Sequence, residues 1–143
     1  MEVIVRSRSY ASMVLALGGI FLMGMGLYFV FLRPPLLPED PRSMGTSLAA
    51  IQASVPGLLV WLRRVFWVMG GYMFTSGLLT VHIARTSFQA RERSAPLVIA
   101  LAGLSSIGWM AAVNFLIASD FKWVILGIAL LWPLALALFW LKK

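Results

Sequence analysis

A chain of 143 residues, 61% of them hydrophobic and 12% charged, has too small a core to hide that much apolar surface, which excludes an ordinary water-soluble fold. The net charge of +7 would suggest nucleic acid in a soluble protein, but here the basic residues flank apolar runs, where topogenic and lipid-headgroup roles account for them without nucleic acid. The absence of cysteine excludes disulfides, thiolate metal sites and thiol redox chemistry.

One spanning helix needs roughly 20 apolar residues, so the length allows four spans in a single integral membrane domain, residues 1–143. The first run, "YASMVLALGGIFLMGMGLYFVFL" at 10–32, follows Arg6 and Arg8 as the apolar run of a signal peptide would. It is too long for a cleavable one, and no small-residue cleavage site follows it, so a retained signal-anchor helix is expected.

A half-polar insert comes next, "LPEDPRSMGTSLAAIQASVPGLLVWLRR" at 37–64. Its prolines predict an extended turn, after which Asp40 and Pro41 read as N-cap and first residue of a helix. Met44, Leu48, Ile51, Val55, Leu58 and Leu62 recur at spacings of four and three, an apolar stripe on one helical face. Pro56-Gly57 interrupts it. The expected element is an amphipathic surface helix over 41–54, lying as a cap on the outer mouth of the bundle. A plain interfacial anchor is the alternative, disfavoured because the polar face lacks Lys and Arg.

The remaining spans are expected at 65–84, 96–119 and 121–141. Ser119 and Asp120 make a tight hairpin between the last two, with Asp120 suited to cap the fourth helix. If the N-terminus is inside, the inner side holds Arg6, Arg8, Arg85, Arg91, Arg93, Lys142 and Lys143, and the outer side Arg33, Arg42, Arg63, Arg64 and Lys122. That bias predicts cytoplasmic termini and an outward-facing insert.

Helices in lipid associate where small residues let backbones approach. Ser12, Gly19 and Gly26 share a heptad spacing in the first span, as do Gly70, Gly77 and Ala84 in the second. The third offers Ser105, Gly108 and Ala112. These three spans are expected to form the compact part of the bundle. The fourth, kinked at Pro133, is expected to be the most lipid-exposed or to meet a partner.

Polar residues near the membrane supply the candidate sites. On the outer side Glu39, Asp40, Arg63, Arg64, Asn114, Asp120 and Lys122 can share one depth. They can form ion pairs that hold the cap, or a ligand site beneath it. The ligand-binding candidates among them are Arg63, Arg64, Asn114, Asp120, Glu39 and Asp40. His82, near the inner end of the second span, is a separate inner-side candidate, too far along the membrane normal to share a site with Asn114. One histidine makes no metal cluster. No Ser/His/Asp set or phosphate loop is present, so no catalytic residue is assigned.

A glycine-rich first span, an outer insert before the second span and a tight final hairpin together resemble the layout of DoxX-like small four-helix proteins of the bacterial inner membrane. That resemblance implies a multi-pass plasma-membrane location and, by analogy with some members, a possible link to quinone-coupled oxidation. It carries over no residue roles. The expected function is a non-enzymatic accessory or scaffolding protein that binds membrane lipids or a membrane-protein partner, including a second copy of itself. The alternatives are a small-molecule or lipid carrier with an outer-leaflet pocket and a quinone-associated redox accessory. No other cofactor is expected.

Overall fold

The computed structural model describes residues 9–141. Arg6, Arg8, Lys142 and Lys143, which carry part of the inner basic excess, lie outside the described residues. Among those residues the secondary structure is helical throughout, with no strand. The helices are α1 (Tyr10–Phe31), α2 (Glu39–Ser43), α3 (Leu48–Ser54), α4 (Leu58–Arg85), α5 (Ala95–Gly103), α6 (Trp109–Leu116), α7 (Lys122–Ala129) and α8 (Leu131–Leu141), with a π-helical turn, Leu104–Gly108, between α5 and α6.

Three of the resulting rods are long and apolar enough to cross a membrane: Tyr10–Phe31, Ala95–Leu116 and Lys122–Leu141. The fourth long helix, α4, has 28 residues. Its Arg63-Arg64 pair, hydroxyls and glycines make it less apolar than the other three.

The main interface joins α1 to α4, antiparallel along their length. It is built on the heptad glycines. A Cβ at Gly77 would sit 2.5 Å from the Gly19 carbonyl oxygen and 2.6 Å from the Met23 nitrogen; one at Gly26 would sit 2.6 Å from both the Gly70 oxygen and the Phe74 nitrogen. Only glycine permits backbones this close. The dispersion energy gained replaces the hydrophobic drive that lipid cannot supply. Gly24 and Gly71, one or two residues away on the same helices, face open space.

The fourth rod corrects the expected packing. Its exterior is the most open, with 17% of its apolar window buried against 28% for each of the other two rods. Its buried stripe, however, is a central wedge. Trp132, Ala135 and Phe139 are buried, and α8 packs on both α1 and α5. The indole of Trp132 fills the space left by Gly18 and Gly103 on the two neighbouring helices. The third rod therefore reaches α1 through α8, and the three-span core of the first, second and third rods does not form. Ser105 and Ala112 are exposed, and the buried side of this rod is Ile99, Gly103, Ile107 and Ala111. Ile99 and Gly103, ahead of the π turn, already set this face, and Ser105 and Ala112 lie on the far side of it at helical spacing.

The insert also departs from a single helix over 41–54. It is two short helices divided by a turn in which Gly45 takes a φ of +68°, the left-handed region that favours glycine. Helix α3 starts at Ser47, whose Oγ accepts the Ala50 N–H at 3.2 Å, an N-cap. Asp40 is not an N-cap. Pro38 holds that position, and the Asp40 carboxylate accepts the Leu37 N–H instead, at 2.7 Å. Of the stripe, Ile51 is buried, while Met44, Leu48 and Val55 are exposed. Pro56-Gly57 does separate α3 from α4, as expected.

At the final hairpin Ser119 Oγ, not Asp120, accepts the Phe121 N–H, at 3.1 Å. Pro133 lacks the N–H that would bond the Ala129 carbonyl, and the rod divides into α7 and α8 at Leu130.

Candidate functional site

Helix α4 leans on α1 and makes no comparable interface with α5, α6 or α7. The gap on that side is a cavity of about 870 Å³, within the range of roughly 300–1,000 Å³ typical of ligand pockets. Its walls come from α1, α4, the π turn with α6, and α7. Along α4 the lining runs from Val65 to Ser76, about 16 Å at helical rise, or half the thickness of a bilayer's hydrocarbon core.

The lining is chiefly apolar. Met25, Met69, Met73 and Met110, four of the chain's eight methionines, lie in it. Methionine adapts its shape to what it touches. The rim on the outside of the bundle includes Val68, Tyr72 and Trp109, which are 62%, 72% and 70% exposed. The cavity is therefore a cleft that opens sideways between α4 and α6.

One end is polar and roofed by the start of the insert. Arg33 follows α1 directly, and its side chain is 9% exposed. The guanidinium lies 3.6 Å from the centre of the Phe66 ring and 5.2 Å from that of Phe29, a cation–π clamp between α1 and α4. Its Nη1 donates to the Pro34 carbonyl at 3.0 Å, which fixes the Pro-Pro turn. Its Nη2 lies 3.4 Å from Asp40 Oδ2. Burial pushes the Arg33 guanidinium below its ordinary value, while Asp40, Tyr28 and Glu39 pull it back up. Arginine starts so high that it stays charged.

Glu39 is the first residue of α2 and is 3% exposed. Ser119, 2% exposed, donates its hydroxyl to Glu39 Oε1 at 3.2 Å. This bond ties the roof to the final hairpin. Outside the cavity, Arg42 and Asp120 make a second tie at 2.9 Å between side chains that are mostly exposed, worth little by itself in water.

The outer polar residues thus divide. Glu39, Asp40 and Asn114 line the cleft together. Asn114 donates to the Met110 carbonyl of its own helix at 2.9 Å and bridges no helices through that bond. Arg63 and Arg64 are exposed near the start of α4 and do not line the cleft, nor does Asp120, which pairs with Arg42. His82 is exposed in the last turn of α4 and also lies away from the cleft. Among the described residues no group of His, Asp or Glu could hold a metal ion.

Sequence reasoning placed Arg33 at the outer interface but missed it as a site residue. The available signal was its position four residues after Phe29, directly before Pro34-Pro35. A turn fixed there forces the arginine back over the end of its own helix. The methionines gave no such signal, because in a membrane protein they read as ordinary apolar residues. No family profile, no curated protein and no solved structure matches the chain.

Proposed function

We propose that this chain is a non-enzymatic integral membrane protein of four spans that holds a lipid-like amphiphile in the cleft between α4 and α6. Its role is that of an accessory protein acting through that lipid or through a membrane-protein partner. The observation that carries this is the cleft itself. It combines an apolar, methionine-lined body about one leaflet deep, a lateral opening toward lipid and a single polar end. An apolar tail and a polar head would match its two ends.

The fourth span is α4. Its 28 residues are longer than the roughly 20 needed to cross, and its glycine contacts hold it alongside α1. An even number of spans and the excess of basic residues at the other end support cytoplasmic termini, with the cleft in the outer leaflet. Reporter fusions at Lys143 and in the 85–95 loop are expected to report inside. An outside signal from either would move the cleft to the inner leaflet. The DoxX-like resemblance and a bacterial plasma-membrane location are part of the same proposal.

The lipid-binding reading is tested by plugging the cleft. Met110 lines it and is partly buried, so Met110→Trp projects an indole into the space. Native mass spectrometry from mild detergent is expected to show a bound amphiphile on the parent chain and its loss from a folded Met110→Trp variant. Equal retention by both would remove the cleft as the binding place.

A further inference from the structure

The charges that line the cleft do not balance. They are Arg33, Glu39 and Asp40, one cation and two carboxylates. Arg33 is already committed: it pairs with Asp40 and covers Phe66 and Phe29. Asp40 has the Leu37 N–H as a further donor. Glu39 is more deeply buried than either, and its hydrogen bond comes from the neutral Ser119 hydroxyl. The other cation on this roof, Arg42, points outward to Asp120. Arg33 acts on Glu39 only from beside Asp40, and among the described residues Glu39 forms no ion pair. A cation brought by a ligand would supply that pair at this point in the cleft.

The surroundings suit such a ligand. Tyr28 and Phe121 line the polar end, and neither ring is covered by Arg33. Aromatic faces attract cations, most strongly where water is excluded. The same end already accommodates one cation on aromatic rings, that of Arg33.

We propose that the cleft selects amphiphiles with a positively charged head, an ammonium on an apolar tail, with Glu39 as the residue that recognises the charge. This rests on the reading of the cleft as an amphiphile site. Anionic heads, such as phosphate esters, would meet Glu39 and Asp40 with only one arginine between them.

The chain has no cysteine, so Met110→Cys provides a single reporter inside the cleft. Its alkylation by a maleimide is followed with dodecyltrimethylammonium, dodecyl phosphate or dodecanol present below their micellar concentrations. The ammonium is expected to halve the labelling rate at a concentration at least about tenfold lower than the phosphate, given the strength of charge pairing away from bulk water. Adding Glu39→Gln, which keeps an acceptor for the Ser119 hydroxyl, is expected to abolish that preference. Protection by all three heads at similar concentrations, or best protection by the phosphate or the alcohol, would overturn the inference and leave the cleft as an amphiphile site. So would a cation preference that survives Glu39→Gln. Labelling unaffected by any of the three would overturn the cleft reading as well.

Discussion

Replacing Gly77 with leucine is expected to abolish the α1–α4 interface. The Cβ alone would lie 2.5 Å from the Gly19 carbonyl oxygen and 2.6 Å from the Met23 nitrogen. Both are backbone atoms, so no rotamer change relieves the clash. Overpacking against side chains that can yield costs about 1–3 kcal/mol. Against rigid backbone the cost is expected to reach or exceed that upper end. A loss of about 3 kcal/mol corresponds to a fall in apparent Tm of roughly 10 °C for a chain of this length. Gly19→Leu should behave alike, because the contact is mutual: its Cβ would lie 2.8 Å from the Gly77 oxygen. Gly71→Leu and Gly24→Leu place the same side chain in open space on the same two helices, and their apparent Tm should not fall. Thermal melts in one detergent compare all four. If Gly77→Leu melts like Gly71→Leu, the glycine interface is not what joins these helices.

Trp132→Ala is expected to cost about 3 kcal/mol or more, the range for removing a large buried aromatic. The indole is 3% exposed, with ring atoms 2.9–3.3 Å from a Cβ built on Gly18. It is also the body that connects the third rod to α1. Its Nε1 is buried without a hydrogen-bond partner. The site is therefore held by shape rather than polarity, and Trp132→Phe should recover most of the loss. A second substitution gives a sharper test. Gly103→Leu alone runs into the Trp132 ring and should destabilise strongly. In the Trp132→Ala background the same leucine enters the vacated space and should restore stability. A change of sign in the effect of Gly103→Leu is the expected coupling. An additive double variant would mean that the two positions do not share one space.

The α1–α4 pairing was legible because its signal is periodic: Gly19, Gly26, Gly70 and Gly77 recur at a spacing that keeps them on one face. Apolar content located three spanning rods for the same reason that it could not orient them. In lipid the outside of a helix is as apolar as its inside, so nothing in "IALLWPLALALFW" distinguishes buried Trp132 from exposed Trp140. The π turn was also silent in sequence. Ser105 and Ser106 bond back to the carbonyls of Leu101 and Ala102, which serines in regular membrane helices also do. The third rod's inward face, set by Ile99 and Gly103, does not pass through Ser105 or Ala112.

The insert shows the same limit. Its stripe at spacings of three and four suggested one helix because periodicity does not register a turn at Met44-Gly45 that costs glycine little. As a result only its first part, Leu37 to Asp40, roofs the cleft. Glu39 and Asp40 were legible as carboxylates at the membrane surface. Their separation in role depended on which neighbour each met, Ser119 from 80 residues away for Glu39 and Arg33 for Asp40. Arg63 and Arg64 attracted attention as a basic pair, yet the start of α4 directs both outward.

The proposed cleft would admit lipid between α4 and α6. Photolabelling tests it most directly, using a single-chain fatty alcohol with a diazirine at mid-tail and the protein reconstituted in bilayers. Met73 and Met110 are partly buried and would be screened from bulk lipid by a closed bundle, whereas Leu101, Leu104 and Leu116 are 59%, 71% and 84% exposed on the outside. Adducts concentrated on Met73 and Met110, and lost on addition of excess unlabelled fatty alcohol, are the predicted result. Adducts spread over Leu101, Leu104 and Leu116 with Met73 and Met110 unmodified would contradict it.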